Sequence, residues 1–110
     1  MEPKEVLVKA RVLISNIDIM MLLLLTTGER LKFGLLSKLK ESRNAVVLKI
    51  GKAKKELGLP IHCPARESEE LKRLQKFARM AHLPISPAEI ESFFQDIFIR
   101  SRELQNDSKN

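Results

Sequence analysis

The chain of 110 residues contains no Trp, no Tyr and a single cysteine, Cys63. One cysteine excludes an intrachain disulfide and makes a reducing compartment, the cytoplasm, the simple expectation. Without Trp or Tyr, any stacking platform for nucleic-acid bases would fall to the five Phe. Four of these, Phe77, Phe93, Phe94 and Phe98, stand at helical spacing as core candidates. Nucleic acid is the bland partner for a net charge of +6, and none is expected here. Long apolar runs are missing too. The stretch from Met20 to Leu25 is too short to span a bilayer, so no membrane partner is expected. His62-Cys63 is a pair of metal-ligand types with no second pair at zinc-like spacing, and no metal is expected. What is present, 44% hydrophobic and 31% charged residues, is the balance of one soluble domain with one core.

From Glu5 to about Leu25 neither Gly nor Pro interrupts a strongly apolar stretch, and its length favours a buried helix. Arg11, Ser15, Asp18, Leu22 and Leu25 share one stripe of it. A lone Arg on such a stripe is ordinarily a solvated or ion-paired surface group. Thr26-Thr27-Gly28-Glu29 is the strong break in the first half. Thr26 and Glu29 have the form of a capping box that would start a second helix, and Gly28 makes a sharp bend inexpensive. The apolar pattern resumes at Leu31, Phe33, Leu35, Leu36 and Leu39 and continues through Ala45, Val46, Leu48, Ile50 and Ala53. Gly51 within it costs roughly 1 kcal/mol relative to Ala, and close approach of a neighbour is the usual reason. Gly58 and Pro60 end this helix.

A further helix is expected from Pro64, with Cys63 at its N-cap, ending at Leu83-Pro84. Ser86-Pro87-Ala88-Glu89 combines an N-cap Ser, Pro at the first helical position and a Glu three residues after the cap. The last helix follows, and the polar tail from Asn106 to Asn110 is expected to fray. No stretch reads as a strand. The fold class is all-α.

One constellation stands out. Arg43 and Lys54 are eleven residues apart, three helical turns, and so share a face. After Gly58 and Pro60 a short link brings Arg66-Glu67 to the first turn of the next helix. Three cations and one carboxylate from two elements suit a small anionic ligand. The bland alternative is that these charges are merely solvated faces. Ser101 and Gln105, four apart, can be presented by one face of the last helix.

At this point the residues resemble a family. Arg11 with ISNID (14–18) and LLLL (22–25), then ESRNAVVLKIGKAK (41–54), LPIHCPARE (59–67) and IESFFQDIFIRSRELQ (90–105), are similar in order and spacing to the all-helical, type II chorismate mutases. The resemblance implies one chorismate mutase type II domain over residues 1–110, with an unusual insertion at about 26–40. Its long first helix would be bent near Thr26–Glu29 and followed by two shorter helices. It implies conversion of chorismate to prephenate, in aromatic amino acid biosynthesis from the shikimate pathway, with no cofactor. By the family's pattern Arg43, Arg66 and Arg11 would bind substrate carboxylates, as planar forks do well. Lys54 and Gln105 would hydrogen-bond the ether oxygen. Glu67 would hold the substrate hydroxyl, aided by the backbone of Cys63, and Ser101 would lie beside a carboxylate. Lys54, Gln105 and Arg43 would be the catalytic group.

Two departures matter. Cys63 stands where the family usually has Asp. Arg11 and Arg43 are also about fifteen residues further apart than their counterparts, roughly four helical turns. Family members are usually homodimers in which each site borrows the Arg11 equivalent from the other chain. A straight first helix here would carry Arg11 more than about 20 Å past that place. Folded instead as an antiparallel hairpin, the segment would set Arg11 opposite residue 45 and let one chain complete its own site as a monomer. The competing functions are isochorismate-pyruvate lyase, of the same fold, and a non-catalytic basic helical module.

Overall fold

A computed structural model describes residues 1–27 and 32–107. The order is α1 (Pro3–Leu25), α2 (Lys32–Leu57), α3 (Pro64–Met80) and α4 (Pro87–Asp107). Among the described residues there is no strand, and no helix is long and apolar enough to cross a membrane. Pro3 at the first helical position and Glu5 in the first turn open α1 in accord with the orphan N–H groups there. At its other end the Thr26 hydroxyl donates to the Leu23 carbonyl at 2.8 Å and that of Thr27 to Leu24 at 3.0 Å. Thr26 therefore closes α1, whereas the sequence suggested that it opens the next helix. The other parts of that expected bend, Gly28 and Glu29, and Leu31 with them, lie outside the described residues.

α1 and α2 pack as an antiparallel pair. Leu7 and Ala10 near the start of α1 meet Ile50 and Ala53 near the end of α2. The other half of α1 joins Leu36 of α2 in the main core through Ile17, Met21 and Leu22, together with Leu74, Ala78, Ile90, Phe94 and Phe98. Phe94 is fully buried and meets Phe93 edge to face, with ring centroids 5.1 Å apart. The hairpin is present, but its register differs from the one expected. Asp18, not Arg11, stands opposite the middle of α2, where it pairs with Arg43. Arg11, two turns earlier, is carried towards Lys54. A buried carboxylate or guanidinium left unpaired is costly, so this pair fixes the slide of one helix along the other.

The helix ends are local chemistry. α2 stops in a Schellman turn: Gly58 adopts φ 69°, its N–H donates to Lys55, and that of Leu59 reaches back to Lys54. α3 ends the same way around His82, at φ 54°, with Leu83 donating to Ala78. At the start of α4, Ser86 N–H donates to Glu89 Oε1 at 3.2 Å and Glu89 N–H to Ser86 Oγ at 3.1 Å. That is the capping box read from the sequence. α4 continues through Asp107, past the expected fray point at Asn106, and the last three residues of that tail lie outside the described set.

A left-handed His carries a steric penalty of about 1 kcal/mol that Gly escapes. His82→Gly should therefore raise the urea midpoint, and Ser86→Ala should lower stability by about 1 kcal/mol. Equal midpoints for wild type and both variants would contradict these assignments.

Candidate active site

Arg43, Val47, Ile50 and Lys54 form one stripe along α2, and it lines a cleft of about 130 Å³. α1 adds Arg11, Ile14 and Ser15; the start of α3 adds Cys63, Arg66, Glu67 and Glu70; α4 adds Phe98, Ser101 and Gln105. All eight residues singled out from the sequence thus border one cavity. They differ in depth. Arg43, Lys54 and Gln105 are only 5%, 7% and 6% exposed. Arg11, Cys63, Glu67 and Ser101 are half-buried, and Arg66 is exposed at the mouth.

Internal hydrogen bonds hold the deep groups. Arg43 Nε donates to Asp18 Oδ1 at 2.7 Å, Nη2 faces Oδ2 at 3.4 Å, and Nη1 donates to the Ser101 hydroxyl oxygen. Ser101 spends its own proton on the Ile97 carbonyl at 2.9 Å, so its oxygen is an acceptor for Arg43. Gln105 Nε2 donates to the Ser101 carbonyl at 3.2 Å. Lys54 Nζ donates to the Ile61 carbonyl at 3.0 Å, a contact made possible by the Schellman turn at Gly58. Cys63 makes no side-chain cap. Its carbonyl instead accepts from the N–H groups of Arg66 and Glu67 at 3.1 and 3.2 Å, which sets the turn that carries both side chains.

Two partnerships escaped the sequence reading. Arg102 Nε lies 3.7 Å from Glu67 Oε2, and His62 stands within 2.7 Å of Arg102 Nη1. The Glu67 carboxylate is thereby tethered across to α4. Asp18 is the other. Its signal was a single acid inside a run of aliphatic residues, a position at which a charge needs a buried partner.

Electrostatics makes the cleft hungry for an anion. Burial holds the Lys54 ammonium below its ordinary pKa, and Arg11 and Arg66 push the same way against weaker help from Cys63 and Glu67. Burial and then Arg66 likewise lower Arg11. Cations that depress one another are relieved by a bound anion. A larger groove of about 480 Å³ lies between the start of α1 and the end of α2, but its Lys9, Lys49 and Lys52 are all exposed. It has no buried donor to orient a ligand. The central cleft is smaller than the roughly 300–1,000 Å³ common for ligand pockets, and Lys54 keeps two N–H donors beyond the one on Ile61.

Three guanidiniums and an ammonium thus line one cleft with a buried amide and a hydroxyl, an arrangement with the donors to hold a small anion. Residues 35–106 match the family model of chorismate mutase type II, well over half of the chain, and the chain belongs to that family. No curated protein and no solved structure matches it. The match begins inside α2, so α1, with Arg11 and Asp18, lies outside it.

A small dicarboxylate such as succinate should raise the thermal midpoint more than chloride does at equal ionic strength. A ligand at a hundred times its Kd stabilises by about 2.7 kcal/mol. Arg66→Ala should shrink the difference, and an unchanged difference would mean that the anion sits elsewhere.

Proposed function

We propose that this chain is a chorismate mutase, an isomerase that converts chorismate to prephenate without a cofactor, in the cytoplasm. The observation that carries the reading is the pairing of Lys54 and Gln105, both deeply buried, within a cleft that also gathers Arg11, Arg43 and Arg66. The reaction is an intramolecular rearrangement in which the ether C–O bond breaks as a new C–C bond forms. The protein needs to hold the dianion in its compact reactive conformer. It also needs fixed donors where negative charge grows on the ether oxygen.

Arg43, Arg66 and Arg11 take the two carboxylates in this reading, with Ser101 beside the one held by Arg43. Lys54 and the Gln105 amide face the ether oxygen. Glu67, tethered by Arg102, accepts from the substrate hydroxyl, and the backbone of Cys63 lies beside it. The hairpin of α1 and α2 supports a site completed within one chain, as a monomer or as a dimer whose first helices are not exchanged.

Removing one donor to a developing oxyanion costs roughly 3 kcal/mol, or about 100-fold in rate. Lys54→Ala should therefore lose about 100-fold in kcat, while Lys52→Ala, on the exposed face, stays near wild type. The assay follows loss of chorismate absorbance with prephenate identified as product. Equal rates for the two variants would remove Lys54 from the chemistry. Pyruvate from isochorismate, without prephenate, would assign the lyase instead. Salt-sensitive binding to any polyanion without turnover would favour the non-catalytic module.

The chain's self-sufficiency has its own test. Arg11→Ala and Arg43→Ala, each inactive alone, are refolded together. A site built within one chain stays inactive in the mixture. Recovery of activity would require Arg11 to cross between chains. Sedimentation of the wild type should accompany it, with 12.6 kDa as the monomer mass.

A further inference from the structure

Asp18 is completely buried and has no part in the roles assigned above. Its oxygens occupy the Nε–Nη2 edge of Arg43, and the Ser101 hydroxyl oxygen accepts a hydrogen bond from Nη1. The donors left over lie on the two terminal nitrogens, one of the two forks by which a guanidinium grips a carboxylate. Glu70 of α3 is the other carboxyl that acts on Asp18, and its charge favours the protonated form of Asp18. Glu70 is held by Arg73 Nε at 2.6 Å, and Arg73 Nη2 also donates to the Ser15 carbonyl of α1 at 3.0 Å. The charged groups facing Asp18 are thus Arg43 from α2 with Glu70 and Arg73 from α3, while α4 contributes the Ser101 hydroxyl through Arg43.

We propose, resting on the mutase reading, that Asp18 is a positioning residue: fully buried, it holds the side edge of Arg43 so that the end fork meets a substrate carboxylate, and the charge on Asp18 sets how much positive charge that fork presents. With Asp18 protonated, Asp18, Glu70, Arg43 and Arg73 carry one net positive charge; with it ionised they carry none. Burial lifts the Asp18 carboxyl to about 7, with Arg43 opposing and Glu70 assisting. Burial also pushes Glu70 up, but Arg73 and Asp18 outweigh that and leave it below its ordinary value. The proton therefore resides on Asp18. The substrate's carboxylates stay ionised throughout this range, so dianion binding weakens as pH climbs through neutrality.

Two readouts test this. In wild type, KM for chorismate should rise several-fold between about pH 6 and about pH 8.5 with kcat changing less, and in Asp18→Asn it should stay flat. The amide mimics the neutral acid, accepting from Arg43 through Oδ1 without a group that can ionise. Asp18→Ala, which leaves the Arg43 edge without an acceptor, should raise KM at every pH. The second readout needs no substrate. The Arg43 Nε–H resonance, identified by its loss in Arg43→Lys, should move with a midpoint near 7 in wild type and stand still in Asp18→Asn. Should Asp18→Ala fail to fold by circular dichroism, Glu70→Gln takes its place and must move the midpoint of the titration downwards, because Glu70 helps to raise it. A wild-type resonance that does not titrate, or variants that titrate like wild type, overturns the proposal. Absence of chorismate turnover would sink the mutase reading alone, because the resonance still reports whether Asp18 holds Arg43.

Discussion

The structure turns on one buried ion pair, Asp18 with Arg43. Arg43 is 5% exposed and Asp18 not at all, so each has lost the water that would otherwise solvate it. Such a pair seldom adds net stability over well-packed aliphatic residues, because desolvation consumes much of the Coulomb attraction. What it does supply is uniqueness. The aliphatic faces of α1 and α2 would pack about as well after a slide of one turn, since Leu, Ile, Met and Val recur along both. A slide of one turn would leave a bare carboxylate and a bare guanidinium inside the core. The register of the hairpin, and with it the position of Arg11, follows from that penalty.

The hairpin decides where Arg11 lies. Helices fix distance strictly, at about 1.5 Å per residue, and a straight continuation of α1 into α2 would carry Arg11 far from Lys54. Folded back, α1 brings Arg11 to the cleft beside Lys54 and Arg66. The recognised family region, residues 35–106, supplies the rest of the cleft from α2, α3 and α4. α1 is then an arm that closes the cavity and pins Arg43, and its inner face is more tightly specified than its outer one. Val8, Val12 and Leu13 on the outer face remain largely exposed.

What was legible in the sequence was what short spacing decides. The stripe Arg43–Lys54, the pair Ser101–Gln105 and the placement of Arg66-Glu67 at a helix start all follow from 3.6-residue geometry and punctuation by Gly58, Pro60 and Pro64. The capping box at Ser86 is equally local. What was hidden depends on how separate helices slide and turn against one another. No spacing rule links Asp18 to Arg43, Glu70 to Asp18, or Arg102 to Glu67, because each pair spans a tertiary contact. Thr26 was misread for a related reason. A hydroxyl near a helix boundary serves either the helix behind it or the one ahead, and the competition is settled by the backbone.

The deep cations of the cleft are bonded to the protein itself, and this shapes what the cleft can select. Lys54 is bonded to the Ile61 carbonyl, and Arg43 to Asp18 and Ser101. Lys54 keeps two N–H donors beside the one on Ile61. A single carboxylate would engage one guanidinium, whereas a second would add another, with Arg11 and Arg66 lining the same cleft. Relief of the mutual repulsion among Arg11, Arg66 and Lys54 also grows with the ligand's charge. In the proposed reading, a gain that scales with charge favours a dianion over a monoanion.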